Sequence, residues 1–149
     1  MKAWLLDINL LIALFWPSHS QHAPALNWFA RNRSRKWATC PMTQAGFVRI
    51  ISNPAFSRDA VTPREAIALL EANLQAPDHE FWPDDTPYPV AMASLDNRLV
   101  GHQQVTDAYL LALAIRRGGV LATFDSAVAT LLEPRSPSLK SLEVLRHQP

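Results

Sequence analysis

The sequence predicts an α/β fold in which a mostly parallel sheet of about five strands carries helices on both faces. Three observations lead there. Short apolar runs alternate along the chain with longer segments whose apolar residues recur at helical spacing. Two of those runs, far apart, end in an aspartate: Ala3-Trp4-Leu5-Leu6-Asp7 and Val120-Leu121-Ala122-Thr123-Phe124-Asp125. A buried strand that delivers a carboxylate at its carboxyl end is how open α/β sheets place charge in a ligand crevice. At 149 residues and 48% hydrophobic, the chain is expected to form one domain, residues 1–149, around a core of its own.

The elements follow in order. Residues 3–7 read as a buried strand, and Asn9 to Phe15 as a short apolar helix stopped by Pro17. Ser20 to Asn32 carries Pro24 near its start, where a helix tolerates it, with Ala25, Leu26, Trp28 and Phe29 as its apolar residues. A short strand, Trp37 to Cys40, comes next. Thr43 is expected to cap a helix over Gln44 to Ser52, which Asn53-Pro54 ends. Thr62-Pro63-Arg64-Glu65 is a capping box with proline at the first helical position, and Ile67, Leu69, Leu70 and Leu74 supply the apolar face behind it. His79 to Trp82 reads as a strand, and Val90 to Leu99 as a helix after a proline-rich loop. Thr106 is expected to cap a helix from Asp107 to Arg117, stopped by Gly118-Gly119. A strand over Val120 to Phe124, a short helix over Ala127 to Leu132 and a last strand around Leu142 to Leu145 complete the chain.

Composition narrows the setting. The single cysteine, Cys40, cannot form an internal disulfide and reads as a small buried hydrophobe. No secretory leader is visible, so a cytoplasmic location is expected. The strongly apolar stretch Leu10 to Trp16 is far below the roughly 20 residues a spanning helix requires, so no membrane segment is expected. A formal net charge of +1 hides an asymmetry: residues 1–58 hold seven lysines and arginines against one acidic residue, Asp7, whereas residues 59–100 hold two against eight. Asp7 is therefore poorly explained by surface solubility. The run Arg31, Arg33, Arg35 and Lys36 is either a phosphate-contacting patch or a solvated helix end, where cations are favoured anyway.

Three aspartates occupy comparable addresses. Asp7 and Asp125 end strands, and Asp107 lies in the first turn of a helix; in a parallel sheet those positions share one edge. Converged carboxylates repel one another unless a cation neutralises them, and hard oxygen ligands of this kind suit Mg²⁺ or Mn²⁺. Each also has a structural use available: Asp107 complements a helix dipole, and Asp125 can cap the segment after it. Among other candidates, His19-Ser20-Gln21-His22 reads as an exposed helix start, since no cysteine cluster accompanies it as a zinc site would require. Trp16 and Trp82 border loops and are candidates for a dimer or partner surface.

Five motifs in order carry a resemblance to a known family. They are Asp7-Ile8-Asn9-Leu10-Leu11-Ile12-Ala13-Leu14; Trp37-Ala38-Thr39-Cys40-Pro41 with Thr43 and Gly46-Phe47-Val48-Arg49; Phe81-Trp82-Pro83-Asp84-Asp85; Thr106-Asp107-Ala108-Tyr109-Leu110-Leu111-Ala112-Leu113-Ala114; and Leu121-Ala122-Thr123-Phe124-Asp125. Across nearly the whole chain the sequence resembles the PIN-domain ribonucleases of the VapC toxin type. That resemblance implies a Mg²⁺-dependent endoribonuclease, possible also with Mn²⁺, that is held inactive by a small cognate antitoxin and is usually a homodimer. It assigns Asp7, Asp107 and Asp125 as metal-binding and catalytic residues. A fourth acidic residue is expected at position 44, where this chain has Gln44, an acceptor without the charge.

On this reading a metal-activated water hydrolyses an RNA phosphodiester, with Asn9 and Thr123 supplying supporting hydrogen bonds. Arg31, Arg33, Arg35, Lys36, Arg49 and Arg116 are the expected phosphate track, and sequence choice requires unpaired bases. A receiver domain would need an acidic pair after the first strand and a lysine after a late strand; the lysines are Lys2, Lys36 and Lys140. A haloacid-dehalogenase phosphatase would need an aspartate where Asn9 stands. The alternative from another class is a catalytically weakened binding or dimerisation module of the same fold, its charge lost at Gln44.

Overall fold

A computed structural model describes residues 2–95 and 98–149. Five strands, β1 (Trp4–Leu6), β2 (Trp37–Thr39), β3 (His79–Phe81), β4 (Val120–Thr123) and β5 (Leu142–Val144), form one sheet in the order β3-β2-β1-β4-β5, every neighbouring pair parallel. The helices are α1 (Ile8–Phe15), α2 (His22–Arg31), α3 (Pro41–Ile51), α4 (Pro63–Leu74), α5 (Tyr88–Met92) and α6 (Val105–Arg116), with 3-10 turns at His102–Gln104, Ser126–Leu131 and Pro137–Ser141.

Because side chains alternate across a strand, the apolar runs feed two cores at once. Trp4, Leu6, Trp37, Val120 and Ala122 join the core built with α1 to α4, while Leu5, Ala38 and Leu121 join the core around α6. Helix α6 is enclosed along its length, with Ala108 to Ala114 all buried. It ends as its glycines dictate. Gly118 takes a left-handed φ of 66°, Gly118 N donates to Ile115 O, and Gly119 N donates to Ala114 O, the paired bonds of a Schellman stop. A side chain at Gly119 would also strike the Trp82 ring and the Ala3 carbonyl.

Several local expectations need correction. Helix α3 begins at Pro41, so Thr43 sits inside its first turn; the Thr43 hydroxyl bonds back to the N–H and C=O of Cys40 instead of capping a helix at Gln44. The helix expected over Val90 to Leu99 is α5, starting at Tyr88 and ending at Met92; Asp96 and Asn97 of that span lie outside the described residues. Beyond them Arg98 is drawn to the Thr130 carbonyl and to Glu133, while Val100 and Gly101 donate to Gln104 Oε1. Helix α6 starts two residues before Asp107, continuing directly from a 3-10 turn, so Thr106 does not cap it. The segment after Asp125 is 3-10, not α-helical. Trp82 is buried, with its N–H on Glu80, which removes it from the surface candidates; Trp16 packs edge-on against Phe56. No helix among the described residues is long and apolar enough to cross a membrane.

The strand order supplies the key positional fact. The chain builds outward from β1 through β2 to β3, then returns to the other side of β1 for β4 and β5. The carboxyl ends of β1 and β4 therefore flank the switch point of the sheet, where crevices form in such folds. Asp7 directly follows β1, and Asp125 lies two residues beyond β4.

Candidate functional site

Asp7 is 4% exposed, with both carboxylate oxygens engaged. Oδ1 accepts from Ile8 N at 2.7 Å, capping α1, and Oδ2 accepts from the Thr123 hydroxyl at 2.6 Å. Thr123 Oγ1 in turn accepts from Asp125 N at 3.0 Å and from Asn9 Nδ2 at 3.1 Å, and Asn9 Oδ1 accepts from Phe124 N at 3.1 Å. One threonine hydroxyl thus ties the ends of β1 and β4 together. Asp125 Oδ1 accepts from Ala127 N at 2.9 Å and leaves its other oxygen unengaged by protein donors among the described residues.

Asp107 enters from the first turn of α6. Asp7, Asp107 and Asp125 all line one cleft of about 350 Å³, together with Ile8, Asn9, Ile12, His19, Arg49, Ile50, Phe56 and Thr106. Their charges feel one another. Burial, then the charges of Asp7 and Asp125, pushes the Asp107 carboxyl up to about 6. Burial also holds Asp7 above the usual carboxylate range, against the lowering pull of its bonds from Thr123 and Ile8, and Asp125 adds to the rise. Arginine charge does not figure among the influences on either group. Hard oxygen donors that repel one another in a half-buried cleft are the donor set a small divalent cation satisfies. Among the described residues no group of three or more His, Cys, Asp or Glu side chains is drawn together closely enough to hold a metal ion. What the cleft does offer is three carboxylates on one wall, of which Asp7 and Asp107 are raised by burial and by neighbouring negative charge.

Other expected residues stand elsewhere. The Gln44 amide donates to Thr39 Oγ1 at 2.9 Å, and Thr39 also hydrogen-bonds His79 Nε2 at 2.9 Å. Gln44 lines a separate apolar recess between α3 and α4, with Pro41, Ala45, Val48, Arg49, Ser52, Pro63, Ile67 and Leu70, and is not among the residues of the aspartate cleft. The physical reason is that an amide, unlike a carboxylate, has a donor, which the buried Thr39 hydroxyl takes.

The expected phosphate track divides. Arg49 borders the cleft. Arg35 and Lys36, just before β2, occupy the opposite, amino edge of the sheet: Trp4 N donates to Lys36 O, Lys36 pairs with Glu80 at 3.2 Å, and Arg35 stacks over Trp4 at 4.8 Å, while Arg31 lines another recess with Trp28 and Glu143. Arg116 lies nine residues past Asp107, about 13 Å along α6. Neither these four nor Arg33 borders the cleft. His19, expected to be exposed, is half-buried and lines it. His22 Nδ1 lies 2.7 Å from Ala13 O, so the connection after Pro17 turns back onto α1, a tertiary contact that no local pattern in the sequence marks.

Known proteins resemble this chain in sequence and in fold. The model of the PIN domain matches residues 4–131. The chain is 50% identical over 125 residues to Ribonuclease VapC39 of Mycobacterium tuberculosis, covering 84% of this chain and 90% of that protein. It is 46% identical over 132 residues to Ribonuclease VapC38 of the same organism, covering 88% and 91%. In fold it is similar to a chain of the Rickettsia felis VapBC2 complex bound to a promoter DNA fragment, with TM-score 0.62, 15% identity and coverage of 95% and 98%. A chain of the DNA-bound VapBC complex of Salmonella typhimurium gives TM-score 0.62 at 19% identity, with coverage of 97% and 99%.

Proposed function

Because this chain belongs to the PIN-domain family and to its VapC type, we propose that it is an endoribonuclease toxin of a two-component toxin-antitoxin system. The cut is hydrolytic and depends on Mg²⁺ or Mn²⁺ held by Asp7, Asp107 and Asp125. The observation that carries this reading is the convergence of three carboxylates on one cleft at the β1/β4 switch point, with Asp107 raised to about 6. When bound, such an ion lowers the pKa of a coordinated water and offsets charge on the scissile phosphate.

The chain's own residues do the rest. Asp7 is held in one orientation by Thr123 and Ile8, so its carboxylate needs no rearrangement to act. Asn9 and Thr123 keep the β1 and β4 ends in register. Asp107 and Asp125 complete the negative face, and Arg49 attracts the RNA backbone at the same cleft. The partners proposed are an RNA with unpaired bases, a small antitoxin protein and a second copy of this chain. The VapBC complexes similar in fold and the VapC ribonucleases similar in sequence support the antitoxin.

The test is cleavage of structured RNA by purified, antitoxin-free protein with Mg²⁺ or Mn²⁺, alongside an EDTA control and Asp107→Asn. The expected outcome is metal-dependent cutting that falls by at least about 100-fold in the folded variant, beyond what losing a group behind a metal ligand costs. Cutting that survives EDTA or the substitution contradicts the reading. No cutting by wild type favours the weakened binding module.

A further inference from the structure

The aspartates occupy only one end of their cleft. Ile8 and Ile12, one turn apart on α1, line the cleft between the aspartate end and His19, which lies beyond the far end of the helix. Eight residues of α1 span about 12 Å. Asp7 caps the amino end of α1, whereas His19 N donates to Trp16 O at its carboxyl end, and His19 lines the same cleft as Arg49 and Phe56.

The His19 ring is held at both ends of a short chain of bonds. Its Nδ1 accepts from Gln21 N at 3.0 Å. The buried Gln21 side chain is itself clamped to the chain's tail, donating from Nε2 to Gln148 O at 3.0 Å and accepting from Gln148 N at 2.9 Å. An Nδ1 that accepts leaves the proton of a neutral imidazole on Nε2, so the ring carries one fixed donor. Arg49, exposed, has no carboxylate within ion-pair reach among the described residues. An immobilised N–H and a free guanidinium at one end of a cleft whose other end is acidic form a site for an anion that extends past the aspartates.

We propose that His19 and Arg49 form a subsite for the phosphodiester flanking the one that is cut, with His19 Nε2 donating to a phosphate oxygen. Ile12 and Phe56 give this end of the cleft an apolar floor on which the adjoining base rests, a sequence-tolerant contact. The inference rests on the ribonuclease reading for its ligand, a single-stranded RNA segment. It goes beyond that reading in assigning a binding role to a residue with no part in the bond cleavage.

The test separates the two. Binding of a short, mixed-sequence single-stranded RNA is measured by fluorescence anisotropy in EDTA, where no metal-dependent cut occurs. The variant is His19→Asn, whose Oδ1 can still accept from Gln21 N in an Asx turn and so keeps the local fold. It is expected to melt as wild type does and to bind RNA about five-fold more weakly, the worth of one hydrogen bond. With metal, its KM rises by a similar factor while kcat holds, the signature of uniform binding. Arg49→Ala, at an exposed position, is expected to reduce the slope of log affinity against log salt by about 0.7. Wild-type affinity in His19→Asn, or an unchanged salt slope in Arg49→Ala, overturns the subsite. A wild-type protein that binds RNA with these sensitivities but never cuts it overturns the nuclease reading and leaves the subsite standing.

Discussion

At the scale of single residues, Thr123 carries more than its size suggests. Its hydroxyl gives its one proton to Asp7 and accepts from Asp125 N and Asn9 Nδ2. Thr123→Val is nearly isosteric and removes all three contacts. It is expected to cost about 1–3 kcal/mol of stability, because buried partners are left unpaired, and about 10–100-fold in cleavage. Thr123→Ser should retain both; denaturant titration and a cleavage assay on the pair check this. Asp107 makes a prediction about pH. A carboxyl raised in the folded state binds its proton more tightly there than in the unfolded chain, so its stabilising contribution is full below about pH 3.8 and is lost as pH climbs through about 6. Metal-free Asp107→Asn should therefore melt progressively above wild type as pH is raised from 4 to 7, and Mg²⁺ should narrow or reverse the gap. A gap that is constant with pH would show that Asp107 is not strained by its neighbours.

At the scale of elements, the site depends on how closely α3 approaches α1. Gly46 lies against Ile8, and an added Cβ would overlap Ile8 Cγ1 and Cδ1. Ile8 N is the donor that holds Asp7 Oδ1. Gly46→Ala is expected to cost about 1–3 kcal/mol from overpacking, less what alanine returns in helix propensity, and to reduce cleavage by more than its stability loss explains. Thermal melts and kcat on the same preparation decide it. The elements themselves were largely legible from the sequence. Strands β1 and β4 are short apolar runs with a carboxylate just beyond, and α4 announces itself through Thr62, whose hydroxyl accepts from Glu65 N. Where an element's end is set by distant partners, local signals failed. Helix α5 stops at Met92, and Arg98 then reaches Thr130 O and Glu133, groups more than thirty residues on that no local pattern in that stretch reveals.

At the scale of the whole molecule, the sheet sorts charge by edge. The aspartates gather at the carboxyl ends beside the switch point, while Lys36 and Arg35 sit where β1 and β2 begin, and Arg116 ends α6 on the far side from Asp107. The convergence of the aspartates was legible because strand ends and following helix starts share an edge in any parallel sheet. The basic run lies off the aspartate cleft because density of charge along the chain says nothing about which edge it lands on; for Arg35 and Lys36 the position just before β2 does. Gln44 and His19 were misplaced for the same kind of reason. Their surroundings, Thr39 for one and the Gln21–Gln148 clamp for the other, are tertiary. All of this meets in one claim, that the cleft exists to hold a divalent cation. The most direct measurement is a calorimetric titration of Mn²⁺ into metal-free wild type, Asp7→Asn and Asp107→Asn at pH 7. Saturable binding by wild type that is lost in both folded variants is the predicted result, with proton release as pH is lowered toward 6, because a bound ion displaces the proton from Asp107. Equal binding by all three proteins, or no binding by wild type, would contradict it.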